Sequence, residues 1–326
     1  MPILDVAAAI ELGSKALIAA GTSSFVAETT ARALVAADCD GQAGHGLSRV
    51  PSYAAQVKAG KIRGKAELGM TRPRPGLLHI DAGHGFGFPA VELAIDHLPD
   101  AANRQGIAAA LIFNSHHIGQ AGRIVERLAE QGLVAILMSN TPAAMAFAGG
   151  RNLRLGTNPL AFAAPLPGRP PLVIDMALSL VARSKIVAAQ KAGQSIPADW
   201  AYDADGNPTT DADAAMKGAL APMGGPKGAA LALMVEVLCG ALAGGAFGWQ
   251  ASSFLDDKGG PPSVGQILIA IEPSSSFLPR MAELAAAFAE EPGVRIPGDR
   301  RLAARDKARL QGLTIPDELY KAIVAI

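Results

Sequence analysis

Cysteine is nearly absent from this chain of 326 residues, which holds only Cys39 and Cys239. Both lie in apolar helical patterns far apart in sequence, which excludes a disulfide framework and a thiolate zinc site and leaves two buried free thiols. Charge is scarce too. Charged residues make up 18%, and 29 basic side chains cancel 29 acidic ones. With no basic field, nucleic acid and anionic lipid are excluded as bulk partners. So little charge also means that much of the surface is covered, by a large core or by another subunit. A basic leader is missing: Asp5 and Glu11 stand at the N-terminus, so no secretory signal is read and the chain is expected in the cytoplasm. One run, 228–248, is long enough to span a bilayer, and Glu236 is its single charge. Its Ala and Gly content and the central glutamate predict a buried core helix instead.

Two motifs are also lacking. Gly83-His84-Gly85-Phe86-Gly87 follows a strand pattern and precedes a helix, but the third glycine of a dinucleotide fingerprint would fall at Phe88. No acidic residue ends a suitable second strand, so a Rossmann domain is disfavoured and the turn is read as structural. His45, His84, His116 and His117 show no H-x-x-x-H spacing and no carboxylate-rich company, so a metal-dependent hydrolase is disfavoured and no metal is expected.

The length allows about two domains, and strand patterns alternate with helical ones, an α/β mixture. Helices are predicted over 4–20, 25–37, 51–59, 88–98, 123–131, 179–192, 229–243 and 279–290, with a helical tail. Strands are predicted over 70–74, 77–81, 107–113, 133–138, 158–165, 172–175 and 263–271. The segment 200–212 reads as a polar surface loop.

Six segments carry chemistry. Gly44-His45-Gly46-Leu47-Ser48-Arg49 puts an imidazole on a glycine-flanked turn with a guanidinium four residues later. That pair suits an anionic carbonyl or imine substrate: a proton donor near neutral pH and a fork for a carboxylate. Asn114-Ser115-His116-His117-Ile118-Gly119-Gln120-Ala121-Gly122 ends a buried strand and opens a helix, whose free N–H groups can face a phosphate. For either imidazole a structural and a functional role are both open. Leu155-Gly156-Thr157-Asn158-Pro159 starts a strand. Asp175-Met176-Ala177-Leu178-Ser179 closes one, followed by the cations of Arg183-Ser184-Lys185. Met223-Gly224-Gly225-Pro226-Lys227-Gly228 is a glycine-rich loop at a helix start without P-loop spacing. Arg295, Arg300 and Arg301 lie in a Pro-Gly loop, as a solvated face or a phosphate reader.

In this order and over most of the length, these segments resemble the type 2 malate/L-lactate dehydrogenases. That family includes ureidoglycolate dehydrogenases and the Δ1-pyrroline-2-carboxylate and Δ1-piperideine-2-carboxylate reductases. The resemblance implies a non-Rossmann NAD(P)-binding fold, with a largely antiparallel central sheet and flanking helices. It implies a helical substrate and dimerisation domain from 1–75 and 272–326, a cofactor domain over 76–271 with an inserted helical segment, and a homodimer with sites near the subunit interface. The implied reaction is NAD(P)H-dependent reduction of a cyclic 2-imino acid to proline or pipecolate, with 2-hydroxy-acid dehydrogenation as the alternative and a non-catalytic cofactor-binding paralogue as a remote one. By resemblance, His45 exchanges the proton and Arg49 clamps the carboxylate. Thr157, Arg183 and Ser184 contact substrate. His117, Ile118, Gly119, Gln120, Ala121, Asp175, Met176, Ala177, Pro226, Lys227, Arg295, Arg300 and Arg301 line the cofactor. Pairing of these arginines with a 2′-phosphate tilts the choice toward NADPH over NADH.

Two residues depart from the family pattern. Gly44 stands where Ser commonly precedes the histidine, and Lys185 where the imine reductases carry Asp. Both changes weaken a transfer of those enzymes' proton relay. Lys185 is read instead as polarising the substrate oxygen or shifting His45 electrostatically. The segment from Phe254-Leu255-Asp256-Asp257-Lys258 to Pro262, with Gly265-Gln266, looks closer to the cyclic-imine branch.

Overall fold

A computed structural model describes residues 1–326. A short strand β1 (Ile3–Leu4) leads into α1 (Val6–Ala19), whose N-terminus is capped by Asp5 accepting the Ala8 N–H at 2.7 Å. Then come α2 (Ser24–Cys39) and α3 (Val50–Lys58), separated by two short 3-10 turns, Ala43–His45 and Leu47–Arg49. Alanines at Ala9, Ala16, Ala27 and Ala31 let these helices approach closely, and Leu17, Leu34, Leu47 and Tyr53 fill the space between them.

The remainder is built on one sheet. In chain order follow β2 (Gly69–Arg74), β3 (Leu77–Asp81), α4 (Gly87–Gln105), β4 (Ile107–Ser115), α5 (Ala121–Ala129) and β5 (Val134–Ser139). A small ribbon of β6 (Met145–Ala146) and β7 (Leu153–Leu155) precedes the hairpin of β8 (Leu160–Leu166) and β9 (Arg169–Met176). After α6 (Arg183–Lys191), α7 (Ala212–Lys217) and α8 (Pro226–Glu236) comes β10 (Val264–Ile271). The order across the sheet is β2-β3-β4-β10-β5-β8-β9, and only β3 and β4 pair in parallel. The chain closes with α9 (Phe277–Glu290), α10 (Asp299–Gln311), β11 (Leu313–Thr314) and α11 (Asp317–Val324); β11 pairs with β1, returning the C-terminus to the N-terminal helices.

Both sheet faces are covered, so its central strands are continuous apolar runs rather than alternating ones. Ile112 and Leu137 pack under α4 and α5, while their neighbours Leu111 and Met138 face α8 and the 178–220 segment. The expected non-Rossmann, mostly antiparallel α/β fold is the one observed.

Several boundaries differ from the sequence reading. The helix expected from residue 179 starts at Arg183, because Ser179 bridges Pro222 and the Leu180 N–H donates to the Ala221 carbonyl, holding the start of that stretch against the 221–222 segment. The basic loop expected over 295–301 ends at Gly298, whose φ of 105° starts α10, so Arg300 and Arg301 are helical. The apolar run of 228–248 is helical only as far as Leu242 and buries only one face: α8 begins at Pro226 and turns π-helical over Val237–Leu242, while Leu233, Met234, Val237 and Leu242 are exposed. No helix is long and apolar enough to cross a membrane.

Candidate active site

The pairing registers bring the C-terminal ends of β4, β5 and β9 and the starts of β8 and β10 to one rim of the sheet. The His116-His117, Thr157 and Asp175-Met176 segments therefore line up along it. Backbone strain collects there as well: Asn114, Asn158 and Ser263 hold φ values of 49°, 39° and 52°. Left-handed backbone away from glycine is costly and is concentrated at functional sites.

The helical layer supplies the other half. His45 ends the first 3-10 turn, and its ring stacks on His117 with centroids 5.4 Å apart. Asp38, on α2, fixes this turn by accepting the Leu47 N–H at 2.7 Å, and its carboxylate packs against Gly46. Arg49 folds back, so that its Nε donates to the Gly44 carbonyl at 2.7 Å, with its terminal nitrogens left for a ligand. The Tyr53 hydroxyl meets His117 Nδ1 at 2.5 Å. His116 Nε2 meets Gln56 Oε1 at 2.9 Å, and Phe254 covers both rings at 4.9 and 5.4 Å.

Electrostatics follow from this enclosure. Burial, and then the Arg49 charge, lower the His45 pKa to about 4. Burial, Lys61 and Arg49 lower His116 to about 3. His117 is held well below the ordinary range by burial, His45, Arg49 and His116. Burial raises the Tyr53 hydroxyl, and it lifts Asp38 to about 6 against the opposing pull of the Leu47 N–H. All three imidazoles are thus neutral near pH 7, and Arg49 is the cation that acts on His45.

Thr157 is held by a carboxylate that serves no cation. Glu236 is buried, and its Oε1 accepts from Asn158 Nδ2 at 3.0 Å and Gly156 N at 3.3 Å. Its Oε2 accepts from Gly248 N at 3.0 Å and Asn140 Nδ2 at 3.1 Å. The two residues flanking Thr157 are therefore bonded to one side chain. Thr157 itself accepts the Leu178 N–H through its carbonyl at 2.8 Å.

Other expected residues fall as follows. Ile118 and Ala121 are buried, and Gly119 has a φ of 70°. Gln120 is buried with its Nε2 on Asp40 at 3.0 Å. Asp175 Oδ2 accepts the Gly122 N–H at 2.7 Å, tying the end of β9 to the first turn of α5, with Met176 and Ala177 half-buried beside it. Met223 N donates to the Leu178 carbonyl at 2.8 Å, which brings Pro226 and Lys227 alongside that strand end.

Three residues are not drawn to His45. Arg183 donates to the Met216 carbonyl at 3.1 Å, Ser184 is exposed, and Lys185 lies over the Trp200 indole, 5.6 Å from its centroid. Arg301 is buried against Glu126 at 3.1 Å and Asp40 at 3.5 Å, beside Arg305 on the same two carboxylates, so its charge serves the joint between α2, α5 and α10. Arg295 and Arg300 are exposed. The glycines of 83–87 are tightly packed: a Cβ at Gly83 would meet the Glu67 carbonyl at 2.8 Å. No three His, Cys, Asp or Glu side chains are grouped to hold a metal ion.

Tyr53, Asp38, Gln56, Glu236 and Phe254 escaped the sequence reading as parts of the site. Glu236 carried a signal as the lone charge in an apolar run, and Phe254 as the start of the segment that looked closer to the cyclic-imine branch.

Known proteins match this chain over nearly its whole length. The family model for malate/L-lactate dehydrogenase matches residues 4–324. The chain is 46% identical over 317 residues to a (2R)-3-sulfolactate dehydrogenase (NADP(+)) of Chromohalobacter salexigens, covering 96% of this chain and 95% of that protein. It is 39% identical over 317 residues to a Δ1-pyrroline-2-carboxylate reductase of Ancylobacter novellus, covering 95% and 93%. The crystal structure of Δ1-piperideine-2-carboxylate reductase from Pseudomonas syringae pvar. tomato superposes with a TM-score of 0.94 at 34% identity, covering 99% of each chain. The chain belongs to the malate/L-lactate dehydrogenase family of NAD(P)-dependent oxidoreductases.

Proposed function

We propose that this protein is an NADP(H)-dependent dehydrogenase of a small 2-hydroxy acid, with 3-sulfolactate as the first substrate to try and His45 and Arg49 as the groups that act on it. The observation that carries this reading is the pairing of a neutral imidazole with a guanidinium on two consecutive 3-10 turns, with no serine at position 44 and no carboxylate bonded to His45. A neutral His45 is ready to take the hydroxyl proton as C2 is oxidised, and to return it in the reverse direction. Arg49 grips the carboxylate and so fixes which face of C2 is presented. Pairing with that carboxylate also offsets the guanidinium charge that depresses His45, so substrate binding raises the proton affinity of the catalytic ring. Tyr53 holds His117, and His117 orients His45 by stacking.

The residues present fit a nicotinamide dinucleotide. The first turn of α8 has no side-chain cap, and Gly224 and Gly225 have positive φ with open space where a Cβ would stand. Its free N–H groups and the exposed Lys227 suit a pyrophosphate. Gly119 to Ala121 and Asp175 to Ala177 lie on the same rim, and the exposed Arg295 and Arg300 are the guanidinium groups for a 2′-phosphate. When bound, the nicotinamide accepts the hydride from C2 or supplies it. The surface row Leu233, Met234, Val237 and Leu242 on α8 and the π-helical turn supports a homodimer.

Reduction of a cyclic 2-imino acid is the second reading, favoured by the 0.94 superposition and the identity with the pyrroline-2-carboxylate reductase. A substrate already protonated at nitrogen needs no serine relay, so Gly44 is compatible with it.

The test is nicotinamide absorbance with both cofactors on 3-sulfolactate, lactate, malate and the two cyclic imines, with His45→Ala as control. Turnover of the sulfonated acid that is lost in His45→Ala supports the proposal. Turnover of the cyclic imines alone replaces it with the second reading. NADPH binding without turnover of any acid favours a non-catalytic paralogue.

A further inference from the structure

Lys61 is fully buried, just beyond the end of α3. A buried ammonium ordinarily needs a carboxylate, yet the nearest carboxylate oxygen, Asp256 Oδ1, is 3.6 Å away on a half-exposed side chain. The three N–H groups of Lys61 go instead to three backbone carbonyls: Ser253 at 2.6 Å, Lys258 at 2.7 Å and Asp256 at 2.8 Å. All three belong to the irregular stretch before β10. Carbonyl dipoles aimed at one point repel one another, and a compact cation at that point reverses the sign of the interaction. The ammonium has its donor capacity filled, and it stands where a dehydrated potassium or ammonium ion would stand in a cage of carbonyl oxygens.

What the cage holds is the wall of the site. Gln56 Nε2 donates to the Phe254 carbonyl at 3.0 Å, and Ser52 Oγ donates to the Leu255 carbonyl at 3.3 Å. The Phe254 ring then lies against His116 and His117, and His117 stacks on His45. A continuous line of contacts runs from the ammonium, through the 253–258 segment and Phe254, to the ring that orients the proton-transferring imidazole.

We propose that Lys61 is a positioning residue for the reaction: a tethered ammonium that closes residues 253–258 over the site and, through Phe254, sets the orientation of His117 against His45. This rests on the reading of His45 as the group that exchanges the proton. The cage accepts a compact monovalent cation, so ammonium or potassium ions substitute for the missing side chain when Lys61 is truncated.

The test uses Lys61→Ala and Phe254→Leu beside the wild type. Two readouts are independent of the substrate. Trypsin cleaves after the exposed Lys258, and nicking at Lys258–Gly259 reports release of the segment; Lys61→Ala is expected to be nicked about tenfold faster. Ammonium chloride is expected to restore protection, and tetramethylammonium chloride at equal ionic strength is not. The third readout is kinetic. For an acid that the wild type turns over, kcat in Lys61→Ala falls about tenfold to a hundredfold, as expected of a misplaced catalytic ring, while KM for NADPH changes little, and ammonium ions restore kcat. Phe254→Leu reproduces the loss of kcat without faster nicking. Unchanged nicking in a folded Lys61→Ala, or equal effects of the two salts, overturns the cage. Full kcat in Phe254→Leu overturns the link to catalysis. If the wild type turns over none of the acids, the functional reading fails in the kinetic arm, while nicking and salt rescue still decide the cage.

Discussion

Replacing Glu236 by glutamine leaves the size of the side chain unchanged and removes half of what it does. Four N–H donors converge on the two carboxylate oxygens, at 3.0 to 3.3 Å. An amide offers one oxygen, so one pair of donors keeps its acceptor and the other meets an NH2 group. If the oxygen stays with Asn158 and Gly156, then Gly248 N loses its partner and Asn140 Nδ2 keeps only the Ala246 carbonyl; flipping the amide only transfers the loss to the residues that flank Thr157. Each hydrogen bond to a charged group contributes about 1.5–3 kcal/mol, and a buried donor left alone costs about as much again. Relief from burying a charge offsets part of this. The net expectation for Glu236→Gln is a destabilisation of about 3 kcal/mol. At about 2 °C per kcal/mol for a chain of this size, the melting temperature drops by about 6 °C. Thermal unfolding followed by circular dichroism, with equal protein concentrations, measures it. Activity should fall as well, because Thr157 sits between the two residues that lose their anchor in one amide orientation. A melting temperature unchanged within one degree would refute the reasoning, since it would mean that the carboxylate is not the acceptor of these four groups.

Four further outcomes are expected. Arg49→Lys replaces a planar fork with a point charge; it should cost about 3 kcal/mol of kcat/KM, roughly a hundredfold, through the KM for the acid, and an unchanged KM would remove Arg49 from the carboxylate. The folded protein refuses protons at His45 and His116 until about pH 4 and about pH 3, whereas the unfolded chain binds them near the ordinary value of 6.5. Stability should therefore fall as pH drops from 6.5 toward 4, and Asp38, raised to about 6, opposes this with a single group; melting temperatures that stay flat over that window would show that the rings are not buried neutral. Gly46→Ala puts a Cβ 1.9 Å from Asp38 Oδ1, so a loss of about 2 kcal/mol or more and a displaced His45 are expected, read as a lower melting temperature together with a lower kcat. A Cβ at Gly44 meets nothing within 4 Å, so Gly44→Ser should hold stability to about 0.5 kcal/mol and, since a protonated imine needs no serine relay, should leave the ratio of cyclic-imine to open-chain turnover unchanged; a raised ratio would show that position 44 does choose substrate.

The residues that speak locally were legible in the sequence. His45 and Arg49 lie four residues apart in one glycine-flanked hexapeptide, and the strand ends bearing His117, Thr157 and Asp175 carry glycine, asparagine and cap residues whose local geometry is readable. Their meeting on one rim was implied by the family resemblance and not by spacing. What could not be read depends on contacts between distant segments. The helix start at Arg183 is set by Pro222 and Ala221 across a loop. Arg301 looked like a free cation because Glu126 and Asp40, its partners, are far away in sequence. Lys61 carried no signal at all, since its partners are main-chain carbonyls and no residue type announces those. Lys185 was placed by family pattern, and the Trp200 indole under its ammonium has no mark in the sequence.

The position of β10 also bears on how the chain is made. The strand at the middle of the sheet is the last of the seven to be synthesised, and it pairs with β4 on one side and β5 on the other. Until residues 264–271 leave the ribosome, β4 and β5 each present an apolar edge with no neighbour, separated by a gap one strand wide. Long-range pairing of this kind is slow and leaves strand edges open to other chains. The rim that carries the site is thus complete only when the last-made strand of the sheet takes its place between two that precede it in the chain.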